Sequence, residues 1–366
     1  MIPRSSFFCV FLSSFCCLQI AGASHYEWIA DGEGIFRSPE SVHETNSGRP
    51  CYRRIFLPEG IEEGALRGII VWDAEPHYYP KGPRSTIQSE PWRDFAAKHG
   101  FGMAELASRP LSVEETAEEI KAIFRDMDEI FGRNDCQNAF FTFGGTSGTG
   151  LDTIELADYA PMAERMIAGF PCSMGFVRYG TFEADKGVPL LFMPAGREKF
   201  AGIRVPDVAG EVSARVSKGM PDTLLVRLGA THPELRDDDP NGSSPQSKKA
   251  IAASLELSRL WLEAMILVRL PQESSSSGEA SGLRSLDTSK GWLGSFEVDP
   301  SDGDGMTIDR GEGFTAVTRE GHILKNLAIA PFAELEGGLE AADTWFPNET
   351  LAKAWKTYHE SGRLSE

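Results

Sequence analysis

The chain has 366 residues and a formal net charge of −18, because 54 acidic side chains stand against 36 basic ones. Apolar residues make up 41% and charged residues 25%, which supplies a sizeable core and excludes a wholly disordered, collagen-like or coiled-coil chain. The excess of acid argues against nucleic acid and anionic membranes as partners, since phosphate binding needs clustered Lys and Arg. The length predicts one large domain with an appendage, or two domains.

Residues 1–23 have the features of a secretory signal peptide. Arg4 gives a basic start, residues 7–20 carry no charge, and the segment ends on the small residues of Ala21–Ala23. A membrane anchor is the alternative, but the apolar run is short for a span of about 20 residues. We therefore expect cleavage after Ala23, a secreted or periplasmic protein, and no membrane partner after cleavage.

After that cleavage the cysteines would be Cys51, Cys136 and Cys172. Three cysteines allow at most one intramolecular disulfide and leave one thiol over. None stands in a C-x-x-C pair or beside a His at ligand spacing, so we expect a possible bridge, a buried thiol and no metal site. The pairing stays open.

Between about residues 26 and 270, short apolar runs alternate with helical patterns. The predicted strands are Gly68–Trp72, Phe101–Leu106, Ala139–Phe143, Arg165–Phe170, Val188–Met193 and Thr223–Leu228. The predicted helices are Pro91–His99, a helix from the capping box Ser112–Glu115 through Phe131, a helix ending near Tyr159, Asp207–Lys218 and Ser247–Val268. This alternation predicts an α/β fold: a mainly parallel sheet with helices on both faces, entered before Pro58 by antiparallel segments.

The pattern changes after residue 271. Residues 272–285 are rich in Ser and Gly and predict a linker or long loop, and residues 286–366 predict a small β-rich tail. Its predicted elements are strands at Gly291–Val298, Met306–Ile308, Phe314–Thr318 and Ile323–Ala330, with a last helix from Glu349 capped by Asn348. We thus divide the chain into a signal peptide (1–23), a main α/β domain (24–271), the linker (272–285) and the tail (286–366). Trp355 and Tyr358, at helical spacing, are interpreted as docking core, and a sugar-binding face formed with Trp345 is the alternative.

Phe141–Gly150 is the most informative stretch, because it sets Ser147 in a tight turn between an apolar strand and a helix. Small residues must flank such a serine, since the turn brings the backbone and side chains close together. The amide of Gly148 would lie at the helix N-terminus, where it can stabilise a developing oxyanion. The stretch lacks the Lys of a phosphate loop and the glycine spacing of a dinucleotide site.

Gly145–Thr149 resembles the nucleophile elbow of the α/β-hydrolase superfamily, in the serine esterase-like form small-x-Ser-x-small. Thr149 departs from the pattern by standing where a second glycine is usual, and Gly150 follows it. The resemblance covers about residues 50–270. It implies an α/β-hydrolase-like catalytic domain whose triad follows the chain order Ser, acid, His.

That order selects the other candidate residues. His232 follows the strand Thr223–Leu228, where the resemblance implies the base, whereas His322 and His359 are interpreted as surface residues. Glu198 follows the strand Val188–Met193 and is the expected acid, with Asp207 as the alternative.

The second oxyanion amide is assigned by position alone, to Ala74, in the loop after the strand that ends at Trp72. Trp72, His77, Tyr78 and Tyr79 are candidates for the mouth of the site, with packing as the alternative. The connection between Phe170 and Val188 is too short to hold a lid domain, so the resemblance implies an open cleft.

The resemblance implies a serine hydrolase, an esterase that acts on small-molecule or polymer-linked carboxylic esters without a cofactor or metal. Two alternatives remain open at the level of the sequence. One is a serine peptidase that uses the same residues on amides, and the other is a non-catalytic ligand-binding protein on the same fold.

Overall fold

The structure is a computed structural model. It describes residues 27–32, 34–39, 43–44, 50–73, 86–107, 112–174, 187–196, 204–230, 245–271, 282–298 and 323–364, with only the backbone for 43, 44, 50, 51 and 245–247. The strands predicted at Met306–Ile308 and Phe314–Thr318 and most of the predicted linker lie outside these residues.

A large sheet forms the centre of the molecule. Its strands are β1 (Ile29–Ala30), β2 (Ile35–Arg37), β3 (His43–Glu44), β4 (Pro50–Phe56), β5 (Gly68–Asp73), β6 (Phe101–Ala107), β7 (Phe141–Thr146) and β8 (Met166–Cys172). They are ordered β1-β2-β4-β6-β5-β7-β8, with β3 paired to β4. The pairings from β6 through β5 and β7 to β8 are parallel, whereas β1, β2, β3 and β4 are antiparallel to their neighbours. The predicted parallel sheet with an antiparallel entry is confirmed.

The sheet continues beyond β8 through the short parallel pair β9 (Leu191–Phe192) and β10 (Thr223–Leu224). Single parallel bridges join Cys172 to Met193 and Ala195 to Arg227. The carboxyl ends of β7, β8 and the β9–β10 pair therefore lie along one edge of the sheet.

The helices are α1 (Glu90–His99), α2 (Val113–Phe131), α3 (Gly148–Asp158), α4 (Ala160–Ala163), α5 (Val205–Ser217), α6 (Pro245–Arg269) and α7 (Glu349–Ser361). α2 begins at the predicted capping box, in which Ser112 accepts from the Glu115 amide and Glu115 accepts from the Ser112 amide. Every residue of β5, β7 and β8 is buried, as expected for strands with helices on both faces.

The chain reverses its direction of travel across the sheet next to β5. After β5 it passes through α1 to β6 on one side, and α2 then returns it to β7 on the other side of β5. Such a switch point opens a crevice at the carboxyl edge, where parallel α/β sheets bind their ligands.

The tail forms a second, antiparallel sheet of β11 (Trp292–Val298), β12 (Leu324–Pro331) and β13 (Thr344–Phe346), ordered β12-β11-β13. The predicted β-rich appendage is confirmed. Together with α7 these strands are called the C-terminal unit below. α7 is capped by Asn348, whose side chain accepts from the Leu351 amide, and it ends at Gly362 in the left-handed conformation.

The C-terminal unit packs against β10 through its largest side chains. Trp345, Trp355 and Tyr358 are almost fully buried, so they form docking core and not a sugar-binding face. The Trp355 indole donates to the Leu224 carbonyl at 2.6 Å, and the Tyr358 hydroxyl accepts from the Leu228 amide at 2.7 Å.

His359 is buried in the same contact, and its interpretation as a surface residue is wrong. Its Nε2 accepts from the Val226 amide at 3.2 Å, so its Nδ1 carries the proton and donates to the Trp355 carbonyl at 2.9 Å. Burial lowers the pKa of His359 to about 4. A helical period alone could not reveal this, because the partner strand lies more than a hundred residues away in the chain.

Two further expectations concern cysteines and membranes. Cys136 and Cys172 are both buried free thiols, so neither forms the bridge considered from the sequence, and the side chain of Cys51 lies outside the described set. Within the described residues, none of the helices combines the length and apolar character that crossing a bilayer requires.

Candidate active site

Ser147 connects the last residue of β7 to the first residue of α3 in a strained conformation. Its φ is 61° and its ψ is −118°, a region that non-glycine residues rarely adopt and that costs of the order of 1–3 kcal/mol. Its side chain is only partly buried, and the following residue, Gly148, is exposed at the helix N-terminus. The turn thus presents the hydroxyl beside a backbone amide and the positive end of the α3 dipole.

The turn is closed by small residues, as the sequence pattern requires. A Cβ on Gly145 would lie 2.4 Å from the Thr149 carbonyl oxygen, and a Cβ on Gly150 would lie 2.9 Å from Cβ of Met174. Both distances are shorter than real Cβ contacts. Gly145 and Gly150 therefore have to be glycine for the helix to begin directly behind the serine.

Thr149, which departs from the elbow pattern, makes specific hydrogen bonds inside the turn. Its hydroxyl accepts from the Thr146 amide at 2.9 Å and lies 3.0 Å from the Thr146 carbonyl and 3.4 Å from the Asp73 carbonyl. The side chain is fully buried. Thr149 therefore fastens the first turn of α3 to the ends of β7 and β5, a role that the pattern small-x-Ser-x-small does not indicate.

The next strand end holds the turn from the other side. The Ser147 amide donates to the Cys172 carbonyl at 3.0 Å. Ser173, which follows, also has a positive φ of 43° and is buried. Its hydroxyl accepts from Nη2 of Arg227 at 2.7 Å, and Nε of Arg227 donates to the Met193 carbonyl at 3.2 Å.

Arg227 is thus a fully buried guanidinium that links three strand ends at the carboxyl edge. Its backbone carbonyl accepts from the amides of Gly196 and Ala230, at 2.9 and 3.1 Å. Sequence reasoning missed Arg227, since one Arg near the end of an apolar run carries no local signal. Its partners come from segments that are distant in the chain.

Three of the sequence-predicted site residues, Ala74, Glu198 and His232, lie outside the part of the chain that the structure describes. Their places in the chain follow strand ends at the edge where Ser147 lies. Ala74 comes directly after β5, whose last residue pairs with Gly145, and Glu198 and His232 each come two residues after the amides that Arg227 binds. Their roles remain predictions.

Asp207, the alternative acid, lies in the first turn of α5. One of its carboxylate oxygens is 3.2 Å from Nε of Arg204, and the side chain is about a quarter exposed. An acid in this position also favours the helix N-terminus through the dipole. The contact gives Asp207 a structural role at the start of α5.

Trp72 does not line the mouth of the site. It is 6% exposed, packs on Phe170 with 6.3 Å between ring centroids, and lies where a Cβ on Gly144 would be, at 2.2 Å. Of the aromatic candidates for the mouth, Trp72 is therefore core. His77, Tyr78 and Tyr79 lie outside the described residues.

A buried ionic cluster lies one strand further along the same edge. Glu105, near the end of β6, is fully buried and 3.0 Å from Nη1 of Arg54, and Asp31 is 2.6 Å from Nε of the same Arg. Burial raises the pKa of Glu105 to about 7, and Arg54 opposes that rise. Glu105 also accepts a hydrogen bond from the Ile87 amide. It therefore fixes the short turn Thr86–Gln88, which precedes α1.

One group of potential metal ligands occurs in the described residues, formed by Asp128, Asp135 and Cys136. Asp128 accepts from the amides of Cys136 and Gln137, and Asp135 is 2.7 Å from Nη2 of Arg133. Burial raises the pKa of the Cys136 thiol, so the thiolate form is disfavoured. These carboxylates serve the turn before β7, and the geometry supports no metal there.

No protein-family model matches the chain, and no curated protein matches it. Among solved structures, it is similar to apo Thermogutta terrifontis esterase 2, at 13% identity and a TM-score of 0.42 over 69% of this chain and 98% of that one. A lidless α/β serine hydrolase from Xanthomonas campestris has 11% identity and a TM-score of 0.38 over 62% and 92% of the two chains. A thermostable esterase has 14% identity and a TM-score of 0.37 over 50% of this chain, which spans about half (52%) of that esterase.

The strand order supplies the broader classification. The sheet is mainly parallel, its order reverses at β5, and a strained serine links β7 to α3 at the carboxyl edge. With helices on both faces and an antiparallel appendage, the fold is α/β-hydrolase-like.

Proposed function

We propose that the protein is a serine hydrolase that cleaves carboxylic esters through an acyl-enzyme, with Ser147 as nucleophile, His232 as base and Glu198 as the acid that orients it. The observation that carries the proposal is the conformation of Ser147. Strain at one non-glycine residue persists only where the surroundings impose it, and such sites concentrate where chemistry occurs. Here Gly145, Thr149 and Cys172 impose it together.

The proposed reaction has two steps. In the first, the Ser147 hydroxyl attacks the ester carbonyl while His232 takes its proton, and His232 then gives the proton to the departing alcohol. In the second, water attacks the acyl-serine with His232 again as base, which releases the acid and restores Ser147. The amides of Gly148 and Ala74 would donate to the oxyanion in both steps.

The buried network at the carboxyl edge supports this assignment of roles. The backbone carbonyl of Arg227 accepts from the amides two residues before Glu198 and two residues before His232, and the Arg227 side chain donates to Ser173 next to the elbow. Small displacements of catalytic groups are costly in rate, so rigid anchors at each loop are expected. Asp207 already pairs with Arg204, which favours Glu198 as the acid.

The substrate class proposed is a small-molecule or polymer-linked ester, with a serine peptidase as the nearest alternative. Cleavage of an anilide at a rate comparable to that of the matched ester would favour the peptidase. We also propose secretion or periplasmic export after cleavage at Ala23. N-terminal sequencing of the protein recovered outside the cytoplasm tests that proposal, and a first residue other than Ser24 would contradict it.

Labelling by a fluorophosphonate, read by intact mass, tests the nucleophile. We expect one adduct on the folded wild-type protein and none on Ser147→Ala. The exposed Ser361, at the end of α7, provides a matched control, and Ser361→Ala should label like the wild type. Folded wild-type protein that takes no adduct would overturn the proposal and favour the non-catalytic binding protein.

A further inference from the structure

An open groove of about 460 Å³ lies at the opposite end of the sheet from Ser147. Its walls come from the residue after α4, the turn after α5, the end of α6 and residues 282–288. Arg269, which lines it, binds the first residue of β8, whereas Ser147 binds the last. A strand of this length separates the two places by roughly 20 Å.

Arg269 is a buried cation that contacts backbone carbonyls and, among the described residues, no carboxylate. The residue is 6% exposed, Nη1 donates to the carbonyls of Met166 and Ile167 at 3.1 and 2.9 Å, and Nε is buried without a hydrogen-bond acceptor. Burial lowers the pKa of Arg269 to about 10. An uncompensated buried charge costs several kcal/mol, so an anionic ligand beside this guanidinium would be stabilising.

The dipole at the C-terminal end of α6 does not offset the cost of burying the Arg269 charge. Arg269 is the last residue of α6, and the helix dipole favours a cation there by at most about 2 kcal/mol. However, Arg284 already donates to two carbonyls of that helix end, those of Leu267 and Leu270. Three buried arginines near the sheet differ from Arg269, because Arg53, Arg54 and Arg215 each contact carboxylates at 2.6–3.0 Å.

We propose that this groove binds a small oxyanion, a phosphate or a carboxylate, through the guanidinium of Arg269. The hydroxyl-bearing residues Ser285 and Thr288 also line the groove and can donate to the remaining oxygens. Glu164, on the exposed rim, is the acid among the described lining residues and disfavours the ligand. The inference does not depend on the proposed hydrolase activity.

Thermal unfolding in the presence of inorganic phosphate, at constant ionic strength set with chloride, tests the proposal. The chain carries a net charge of −18, so non-specific attraction of phosphate is not expected. We expect a saturable rise in Tm of about 3 °C at ten times the dissociation constant. Acetate replaces phosphate in a second arm, and a rise with acetate alone would identify a carboxylate site.

Substitutions decide whether the rise comes from this groove. Arg269→Gln should show no rise in Tm with phosphate. Ser285→Glu, at an exposed lining position, should also show no rise and should still fold, because its carboxylate pairs with the Arg269 guanidinium. Glu164→Gln removes a negative charge from the rim, so the midpoint of the rise in Tm should move to a lower phosphate concentration. Lys290→Gln removes a highly exposed cation paired with Asp287 outside the groove and should leave the rise unchanged.

Two results would overturn the proposal. One is the absence of any rise in the wild-type protein with either anion. The other is a rise of the same size and midpoint in Ser285→Glu, which would assign the anion to another place such as the Ser147 turn. Ser285→Glu decides the matter even if Arg269→Gln fails to fold. Ser147→Ala leaves the groove intact and should keep the rise in Tm with phosphate. The anion-binding proposal and the hydrolase proposal can therefore fail independently of each other.

Discussion

At the turn from β7 to α3 the side chains are small and the backbone is strained. At the contact of the C-terminal unit with β10, in contrast, the side chains are large and aromatic. Gly145 and Gly150 admit no Cβ at the turn, and Ser147 has a φ of 61°. Trp345, Trp355 and Tyr358 fill the second contact and donate to or accept from the backbone around β10. The strained turn lowers the stability of the fold and orients the Ser147 hydroxyl, whereas the C-terminal unit stabilises the edge of the sheet at β10.

The comparison predicts that activity and stability respond separately at the two places. At the turn, Ser147→Ala should lower kcat/KM for an ester by about 10⁴-fold with little change in stability. Ser147→Gly should abolish activity as well and raise the free energy of unfolding by about 1 kcal/mol, because glycine adopts this conformation without strain. Denaturant melts together with ester kinetics measure both. A Ser147→Gly protein less stable than Ser147→Ala would contradict the strain.

At the C-terminal unit, Trp355→Ala should lower the free energy of unfolding by about 3–5 kcal/mol. The substitution removes a buried indole and leaves the Leu224 carbonyl without its donor. Trp355→Phe keeps most of the volume and should lose less. Activity per folded molecule should change little in either variant, and a loss as large as that of Ser147→Ala would show that the two regions are not separate.

Low pH should lower the free energy of unfolding through His359, which is buried where the C-terminal unit contacts β10. Its folded pKa, about 4, lies below the ordinary value of 6.5, so its stabilising effect is present above pH 6.5 and is lost as the pH falls toward 4. We expect the wild type to lose up to about 3 kcal/mol over this range relative to His359→Gln. Parallel stability curves for the two proteins would refute a buried neutral imidazole.

Two glycine substitutions sharpen the argument about small residues. Gly145→Ala should destabilise the protein by about 1–3 kcal/mol and reduce kcat/KM by about 10²-fold, because its Cβ would lie 2.4 Å from a backbone oxygen. Gly210→Ala, exposed in α5 with no atom near the new Cβ, should stabilise by about 0.5–1 kcal/mol. Equal effects of the two substitutions on kcat/KM would contradict the claim that the turn at Ser147 requires glycine at position 145.

The helix cap and the serine turn could be predicted from the sequence because their signals are local. Ser112 and Glu115 cap α2 as predicted, since both partners lie within one helical turn. Ser147 lies between a strand and a helix as predicted, because the tight turn demands small residues at adjacent positions. The functional roles of Glu198, His232 and Ala74 are still predictions that rest on chain order.

The sequence by itself determined the strands, the helices and the serine turn, since hydrophobic period, capping and glycine spacing act over a few residues. Only the tertiary structure decided that His359 is buried, that Thr149 fastens the elbow, and that Arg227 joins three strand ends. It also decided that Arg269 contacts carbonyls and, within the described part of the chain, no carboxylate. Each of these depends on what lies across the sheet or beneath a helix. The physical reason is that burial and charge pairing are set by neighbours in space, which a single sequence does not specify.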